Sequence, residues 1–437
     1  MVSSLAVAVA FPLLAQANMT LQKAIEIALQ RNQDLHRVEL QVRQAETDLV
    51  AARSAVLPHL DFNASAGVYR VGAGQTFITG VPFNQQAAAS GGMFAFALYA
   101  RQTVFDGGKW WNNIASASAG VDSSREQAKE QRLQIAFLVE QRYWELARAQ
   151  QHLEVIAAAA SRSKEQAQFA EELMRNRRIT EGDVLAARAN RDNDAINRHR
   201  QAAVAEQARL DLAQTMGLEP REPLVIGDAG RTLAQMPRVP SLQEAVSQAL
   251  GERPAIKAAQ AQLEAQQKLA AALAGDYWPS ISLNGTYSRD VPAVGSLFDD
   301  PSQGSILSGS VVLSWNLFNG LGTKAPVDRA GLQSEIFASD LAAARRNVAI
   351  EVERALAGLA GAVESAQLAK QSVEASTAGL QQARGRLTSG SGSQFEERDA
   401  ELRLTQSQLI QVSALADARI AEASLWRAIG SRPSDAR

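Results

Sequence analysis

The sequence predicts a mainly α-helical chain with a transmembrane β part, built from two copies of one unit. Three observations predict this fold: a long internal repeat, long stretches without helix-breaking residues, and short stretches in which apolar and polar residues alternate. The chain has 437 residues, with 44 Lys and Arg against 46 Asp and Glu. This balance gives no charge signal for nucleic acid, so we expect no nucleic-acid partner.

The internal repeat covers most of the chain. Residues 19–29 reappear with conservative changes as residues 240–250, which lie 221 positions later. Further along, Phe-Asp-Gly at residues 105–107 matches Phe-Asn-Gly at residues 318–320, with a spacing of 213. Solenoid repeats have periods of roughly 20 to 50 residues, so each much longer copy here is a complete structural unit.

The first 17 residues have the pattern of a secretory signal peptide. An apolar run at residues 5–14 precedes Ala15-Gln16-Ala17, a site of the kind that signal peptidase cuts. We therefore expect residues 1–17 to be removed, although no Lys or Arg precedes the apolar run. The sequence contains no cysteine, which excludes disulfides, thiolate metal sites and a lipid-modified N-terminal cysteine.

Long helices are predicted where glycine and proline are missing. Residues 121–181 contain neither, and residues 327–432 contain no proline. At 1.5 Å per residue, the first stretch alone would form a helix of about 90 Å. Leu133, Phe137 and Trp144 recur at helical spacing on a narrow stripe, which suits close packing between helices. A long soluble coiled coil is the alternative for this segment taken alone.

Two pairs of strands are predicted by the alternation of bulky apolar residues with small or polar ones. The alternation covers residues 60–68 and 94–99 in the first copy, and residues 281–288 and 307–317 in the second. Segments of about ten residues with this pattern are typical of transmembrane β-strands. A membrane barrel needs at least about eight strands, so a chain with four must assemble with further copies. The number of strands alone allows an assembly of either two or three chains.

Aromatic residues gather in and near these strands. We interpret a subset of them as contacts with the membrane interface, where aromatic rings are enriched. This subset consists of Phe62, Phe94, Phe96, Tyr99, Tyr287 and Trp315. The alternative is that these rings form the ordinary core of a β-sandwich.

The sequence carries no pattern of residues that is typical of catalysis. The histidines, which are His36, His59, His152 and His199, lack the spacing of metal ligands, and no Ser-His-Asp, His-Glu-x-x-His or Walker pattern occurs. We therefore expect no enzymatic activity, no cofactor and no resident metal.

Three short motifs at the strand ends are informative in combination, although each is weak alone. They are Leu-Pro-His-Leu-Asp-Phe at residues 57–62, Phe-Asp-Gly-Gly at 105–108 and Trp-Asn-Leu-Phe-Asn-Gly at 315–320. In this order, duplicated and followed by long helices, they resemble the TolC-type outer-membrane efflux family over nearly the whole chain after the signal peptide. The resemblance implies a homotrimer in the outer membrane of a Gram-negative bacterium. Four strands per chain would contribute to a 12-stranded β-barrel, and long helices would form a 12-helix α-barrel in the periplasm.

The elements of the family, mapped onto this chain, give approximate boundaries. The first repeat, residues 18–218, would have strands at 59–71 and 93–105, a long helix at 110–176 and a further helix at 180–217. A connector in an equatorial belt would occupy residues 219–240. The second repeat, residues 241–431, would have strands at 279–290 and 306–318, a long helix at 324–387 and a further helix at 394–430. Residues 432–437 would form a C-terminal tail.

The resemblance also implies that the turns between the long helices close the periplasmic entrance and contact a periplasmic adaptor. The family motif there, of the type Val-Gly-Leu-x-x-x-Asp-Val, is partly matched, and Arg177-Arg178 replaces its small pair. The contact residues predicted in the first copy are Arg177, Arg178, Ile179, Thr180, Asp183 and Val184. Those predicted in the second copy are Gly390, Gly392, Phe395 and Glu396.

The function implied is that of the exit duct of a tripartite efflux pump. Its partners would be outer-membrane lipid, a periplasmic adaptor (membrane fusion protein) and an inner-membrane transporter of the RND, ABC or MFS type. Export of drugs or other small molecules is the first expectation, and type I protein secretion is the alternative. A periplasmic adaptor or a soluble coiled-coil scaffold is a remote alternative, because neither needs two amphipathic strand pairs.

Overall fold

The structure is a computed structural model, and the predicted signal peptide and the tail at 432–437 lie outside the residues that it describes. It describes residues 19–431 except 72–73, 79–80, 87–88, 223, 228–232, 292–294, 296–298 and 300–303. The chain divides into two compact units. The strand unit comprises Val42–Ser124 and Ala258–Leu341, and the helical unit comprises the described residues of Met1–Gln41, Arg125–Lys257 and Ala342–Arg437.

Long helices dominate the described residues, which confirms the predicted mainly α fold with strand pairs. The helices are α1 (Leu21–Arg31), α2 (Gln33–Ser54), α3 (Lys109–Arg175), α4 (Glu181–Thr215), α5 (Leu242–Glu252), α6 (Pro254–Ala274), α7 (Lys324–Thr388) and α8 (Gln394–Ile429). The strands are β1 (His59–Val71), β2 (Gly74–Ile78), β3 (Val81–Gln86), β4 (Ala89–Phe105), β5 (Ser280–Val291) and β6 (Ser305–Ser314). None of the described helices combines the length and the apolar composition needed to cross a membrane.

The strand unit contains a four-stranded antiparallel sheet in the order β1-β4-β5-β6. Phe62 lies opposite Leu98, Leu98 lies opposite Tyr287, and Tyr287 lies opposite Leu307. Directly opposed residues share a face of the sheet, so these side chains form one apolar face. The positions between them, such as Asn284, form a mostly polar face.

The aromatic residues predicted at a membrane interface do not all lie on the apolar face. The ring of Phe96 lies 6.3 Å from that of Phe62 and 5.9 Å from that of Tyr287, between centroids, so a row of rings crosses three strands. Tyr99 instead pairs with Asp61 on the polar face, because successive side chains point to opposite sides of a strand. Tyr99 therefore lies on a different face of the sheet from Phe62, Phe96 and Tyr287, and its place at the membrane interface stays a prediction.

The strand ends also differ from the prediction. β4 begins at Ala89 rather than at 93, and β2 pairs with β3 where the glycines and Pro82 of the sequence indicate a loop. β6 ends at Ser314 rather than at 318. Trp315 therefore lies outside the sheet, and its indole N–H donates to the carbonyl of Tyr277 at 3.1 Å.

The Phe-Asp-Gly motif turns the chain from β4 into α3. Gly107 has a φ of +71°, and a Cβ there would lie 2.3 Å from the carbonyl oxygen of Gly275, so only glycine fits. The carboxylate of Asp106 accepts a hydrogen bond of 2.9 Å from the backbone N–H of Trp110, which satisfies one of the free donors at the start of α3. Gly320, with a φ of +63°, holds the equivalent place in the second copy.

The core of the helical unit is centred on α3. Trp144 and Leu146 are almost fully buried, and the Trp144 ring meets the Tyr143 ring edge-on at 5.2 Å. Leu212 and Met216, near the end of α4, belong to the same buried cluster. Burying each large apolar side chain contributes roughly 1.5–3 kcal/mol to folding, so this cluster anchors the unit.

In each copy of the repeat, the end of the last helix contacts the break between the first two helices, and we call this contact the joint. Gly217 and Gly430 follow the last helix of each copy, with φ values of +70° and +93°. A Cβ at position 217 would lie 2.9 Å from the carbonyl oxygen of Arg31, and one at position 430 would lie 3.1 Å from the Cα of Arg253. Both joints therefore require glycine, and the duplication extends to their backbone geometry.

The joint of the first copy is closed by a neutral side chain. The amide of Asn32 donates to the carbonyl of Thr215 at 3.1 Å. Its oxygen accepts hydrogen bonds from the backbone N–H groups of Asp34 and Leu35, so the same residue caps α2. One uncharged side chain thus ties the start of α2 to the end of α4.

The joint of the second copy is held together by ion pairs between side chains. Arg253, at the position equivalent to Asn32, has a side chain that is only 3% exposed. It donates to the carbonyl of Arg427 and forms ion pairs with Glu130 at 2.7 Å and Glu351 at 3.4 Å. Arg427 also pairs with Glu351. A buried charge of this kind is stable only while its partners remain in place.

Candidate functional site

Two turns between long helices carry the residues that the sequence predicts as contact sites. Residues 176–180 join α3 to α4 and are called here the first turn; residues 389–393 join α7 to α8 and are called the second turn. Both turns belong to the helical unit.

The first turn ends α3 with a Schellman motif. The backbone N–H of Arg178 donates to the carbonyl of Leu173 at 2.9 Å, and that of Arg177 donates to the carbonyl of Met174 at 2.8 Å. This pattern requires a left-handed residue just after the helix, and Arg177 occupies that place with a φ of +57°. A residue with a Cβ is disfavoured there, so Arg177 holds a strained backbone conformation.

The second turn repeats the same hydrogen bonds 213 residues later. The backbone N–H of Ser391 donates to the carbonyl of Arg386 at 2.9 Å, and that of Gly390 donates to the carbonyl of Leu387 at 3.1 Å. Gly390 takes the left-handed conformation, with a φ of +77°. The two turns therefore have equivalent backbones, with arginine in one and glycine in the other at the left-handed position.

Both turns continue into capped helices. The hydroxyl oxygen of Thr180 accepts from the backbone N–H of Asp183 at 3.3 Å, and the carboxylate of Asp183 accepts from the backbone N–H of Thr180 at 2.9 Å. This is a capping box. In the second turn the hydroxyl oxygen of Ser393 accepts from the backbone N–H of Glu396 at 3.2 Å.

The capping box gives the first turn a dependence on pH. The hydrogen bond from the Thr180 hydroxyl, and then that from its backbone N–H, hold the pKa of Asp183 below its ordinary value. A carboxyl with a lowered folded pKa stabilises the fold above its unfolded pKa, and this contribution is lost as the pH falls through the folded pKa. The cap of α4 is therefore complete at neutral pH and weakens only in acid.

Most of the predicted contact residues are exposed, either in the two turns or in the first helical turn of the helix that follows. The exposed ones are Arg177, Arg178, Thr180, Asp183, Gly390, Phe395 and Glu396. Ile179 and Gly392 are half-buried. Val184 is 2% exposed, so its side chain is buried within the chain. A contact through Val184 would require its side chain to become exposed, and it stays a prediction.

The arginines near the two turns differ in their pairing. Arg384 of α7 pairs with Glu397 at 3.1 Å and with Glu401 at 2.9 Å, and Arg386 pairs with Glu396 at 3.3 Å. The arginine side chains of the first turn form no ion pair with any residue that the structure describes. The arginines that precede the second turn are thus paired with carboxylates, while those of the first turn have no acidic partner among the described residues.

A polar cluster links the four long helices of the unit. Glu401 of α8 is 2% exposed and accepts hydrogen bonds from Gln166 of α3 at 2.8 Å and from Arg384 of α7 at 2.9 Å. Arg398 of α8 pairs with Asp194 of α4 at 2.9 Å. Sequence reasoning missed this cluster, because each member is an ordinary helical residue and only the fold brings them together.

The described residues include no group of three or more His, Cys, Asp or Glu side chains that could hold a metal ion. His152 has a structural environment instead. Its Nε2 lies 3.0 Å from the carbonyl oxygen of Leu409 and 3.1 Å from the hydroxyl oxygen of Ser413. Burial lowers the pKa of His152, so its imidazole is neutral at neutral pH.

Replacing Arg177 with glycine should stabilise the first turn. A residue with a Cβ in the left-handed region costs about 1–2 kcal/mol relative to glycine, and the Arg177 side chain forms no hydrogen bond or ion pair within the described part of the chain. We expect Arg177→Gly to raise the midpoint of thermal unfolding, followed by circular dichroism at fixed protein concentration. Gly390→Ala should lower it, although a Cβ at position 390 would meet no atom within 4 Å. Unchanged midpoints for both variants would contradict a backbone cost at these positions.

Both copies of the chain match one family model. The model, described as outer membrane efflux protein, matches residues 24–218 and 245–431. The chain is also 24% identical over 422 residues to the pyoverdine export outer membrane protein OpmQ of Pseudomonas putida. This similarity covers 95% of the chain and 86% of OpmQ.

Solved structures share the fold. CusC, whose structures concern folding and transmembrane channel formation, superposes with a TM-score of 0.80 at 20% identity, covering 95% of this chain and 93% of CusC. The open state of the MtrE outer membrane channel of Neisseria gonorrhoeae superposes with a TM-score of 0.77 at 21% identity, covering 94% of this chain and 89% of MtrE. The family model covers most of both copies, so the resemblance to TolC-type proteins is confirmed: the chain belongs to the outer membrane efflux protein family.

Proposed function

We propose that three copies of this chain form the passive outer-membrane exit duct of a tripartite efflux pump. The sheet of the strand unit carries this proposal, because it has one apolar face and its outer strands β1 and β6 each pair with a single described strand. Unpaired strand edges cannot face lipid, so strands of another copy must complete them. Three copies would supply the twelve strands of a TolC-type barrel.

The long helices would form the periplasmic part of the duct. α3 and α7 have 67 and 65 residues, which is about 100 Å each at 1.5 Å per residue. Together with α4 and α8 they give four long helices per chain, so a trimer would have twelve. The turns at their ends would contact a periplasmic adaptor, which joins the duct to an inner-membrane transporter of the RND, ABC or MFS type.

We infer that the cargo is a small molecule and that the chain itself catalyses no reaction. The relative OpmQ is named for the export of pyoverdine, which favours small-molecule efflux over type I protein secretion. Energy for transport would come from the inner-membrane partner.

The assembly is tested by single-particle imaging of the full protein, extracted with detergent from outer membranes and averaged without imposed symmetry. We expect a three-fold particle with a central duct. Small particles that remain in solution without detergent would contradict the proposal. An averaged particle with two-fold symmetry would contradict the trimer. It would instead be consistent with a barrel of eight strands built from two chains.

The cargo is tested in a strain that lacks the gene. Cells of this strain should retain more of a fluorescent small molecule than cells with the gene, and restoring the gene should lower the retained amount again. Loss of a secreted protein from the medium, with unchanged retention of the small molecule, would favour type I secretion instead.

Val311→Arg should strongly reduce the amount of assembled protein in the outer membrane. Val311 is 69% exposed on the apolar face of β6, opposite Leu283. An arginine on the lipid face of a membrane barrel costs about 2–4 kcal/mol near the midplane. Its neighbour Ser310 lies on the polar face, opposite Asn284, so Ser310→Arg is the matched control and should assemble normally. Immunoblots of detergent-extracted outer membranes measure both, and equal amounts would exclude a lipid-facing role for the apolar face.

A further inference from the structure

The two outer strands of the four-stranded sheet each have one edge without a partner strand among the described residues. These strands are β1 and β6, which the order β1-β4-β5-β6 places at opposite ends of the sheet. Val68 of β1 is 92% exposed and Leu307 of β6 is 83% exposed, so both ends leave large apolar side chains uncovered. Backbone N–H and C=O groups along such an edge need a further strand wherever lipid replaces water.

The duplication repeats the register of the sheet residue for residue. In the first copy of the repeat, His59 of β1 lies opposite Arg101 of β4. In the second copy, Ser280 of β5 lies opposite Ser314 of β6, and these two residues are displaced from the first pair by 221 and 213 positions. These are the same displacements that relate the two copies in the sequence. Each copy therefore contains the same strand pair in the same register.

The join between the two copies within one chain supplies a template for the join between two chains. In this join β4, the second strand of the first copy, pairs with β5, the first strand of the second copy, and Ala97 lies opposite Ser288. In a closed ring of chains, β6 would meet β1 of the next chain in the same way. Applying the two displacements to this pair places Ser310 of β6 opposite Gly67 of the next chain.

The side chains of the apolar face fit this register. It places Val311 opposite Ala66 of the next chain and Gly309 opposite Val68 of the next chain, so a larger residue meets a small one at both positions. Cross-strand pairs determine how neighbouring strands pack, and a glycine leaves room for the side chain opposite. A slip of one residue would bring the apolar face of one chain beside the polar face of the next.

The surroundings of two equivalent glycines support the same join. Gly107 packs closely against the second copy, because a Cβ there would lie 2.3 Å from the carbonyl oxygen of Gly275. Gly320 holds the equivalent place with a φ of +63°, yet a Cβ there would meet no atom within 4 Å. The residue equivalent to Gly275 is Ser54, which is exposed at the end of α2. The end of α2 of the next chain therefore fits beside Gly320.

We propose that β6 of one chain pairs antiparallel with β1 of the next chain in this single register, so that Val312 lies opposite Ser65. This inference rests on the proposed function, since it names the surface through which the chains of the duct assemble. The partner is a second copy of this chain, and its β1 edge supplies backbone donors and acceptors to the outer edge of β6. The join between chains thereby repeats the join between the two halves of one chain.

Disulfide formation between introduced cysteines tests the register, because the sequence contains no cysteine of its own. Ser65→Cys is combined in turn with Val312→Cys, Ser310→Cys or Ser314→Cys, which lie on the same face of β6. Directly opposed residues have Cα atoms about 4.5–5.5 Å apart, within the range of a disulfide, whereas a shift of two residues adds about 7 Å along the strand. We expect the Val312 variant to form at least about tenfold more disulfide than either shifted variant.

Oxidation in isolated outer membranes with copper phenanthroline, followed by denaturing gels without reductant, measures the products. Each chain carries both cysteines, so a closed ring of three chains gives covalent dimers and trimers and nothing larger. A dominant product from the Ser310 or Ser314 variant would overturn the register. A ladder that stops at the dimer, formed by the Val312 variant alone, would support the register and contradict the proposed trimer.

A second pair on the other face of the sheet controls for disulfide geometry. Opposed pairs in an antiparallel ladder alternate in hydrogen-bonding type, so Ala66→Cys with Val311→Cys samples the type that the first pair does not. This variant should also form the disulfide, whereas Ala66→Cys with Leu313→Cys should not. Single-cysteine variants set the background, and immunoblots compare the amount of each variant in the outer membrane. Failure of both opposed pairs, in membranes that contain equal amounts of protein, would overturn the proposal.

Discussion

Replacing Arg398 with alanine should loosen the contact between the hairpin of α3 and α4 and the hairpin of α7 and α8. We expect it to increase the conductance of the duct. Arg398 and Asp194 form an ion pair of 2.9 Å with side chains that are 19% and 15% exposed. Removing the arginine leaves two mostly buried carboxylates, Asp194 and Glu401, with one partner fewer. The substitution should lower the free energy of unfolding by about 2–3 kcal/mol, which lies between the values for exposed and for fully buried ion pairs. Single-channel recording of the protein in planar bilayers should show conductance several times that of the unmodified protein.

Two further variants make the Arg398 result specific. Arg403→Ala on the same helix removes an exposed pair with Asp399, and its conductance should be unchanged. Exchanging the charges, with Asp194→Arg and Arg398→Asp together, should restore part of the low conductance. Normal conductance of the Arg398→Ala protein, in a variant that folds and inserts, would show that this pair does not hold the hairpins together.

Replacing Arg253 with methionine should destabilise the helical unit more than any other single charge removal that we predict. The substitution keeps much of the side-chain volume but leaves Glu130 and Glu351 without their buried partner and removes the donor to the carbonyl of Arg427. Breaking a buried pair from one side costs about 3–5 kcal/mol. Because the two glutamates are 25% and 31% exposed, we expect the lower end of this range. Urea unfolding at fixed protein concentration measures the decrease in the free energy of unfolding.

A surface pair serves as the control for Arg253. Arg132 binds Glu39 at 2.8 Å with both side chains substantially exposed, so Arg132→Met should cost less than about 1 kcal/mol. Arg253→Lys should fall between the two, since it keeps the charge and loses the forked hydrogen bonds. Similar losses for Arg253→Met and Arg132→Met would mean that the ionic joint is no stronger than a surface contact.

Local patterns predicted the strand pairs and the first long helix, and the family resemblance supplied the approximate boundaries of the other elements. Alternation identified the two strand pairs, and the stretch without glycine or proline identified α3, since both signals follow from backbone geometry alone. The short β2 and β3 pair was missed, because glycines and Pro82 in that stretch are typical of turns. Local pattern therefore predicts regular elements and fails where a strand is built from residues that favour turns.

The candidate site was less predictable, because its contacts join distant parts of the chain. The polar cluster of Glu401, Gln166 and Arg398 depends on which helix faces which, and no spacing in the sequence records this. The positions of the two turns followed from the family resemblance, whereas the burial of Val184 depends on the packing of the folded chain. Identifying the turns was thus possible from sequence, and sorting their residues into exposed and buried ones required the structure.

The paired left-handed positions also bear on how the two copies of the repeat respond to mutation. Replacing glycine at such a place costs stability, while the reverse change gains it. The same kind of substitution should therefore act in opposite directions at Arg177 and at Gly390. Two segments with one backbone can thus differ in their tolerance to mutation, and results for one copy do not transfer to the other.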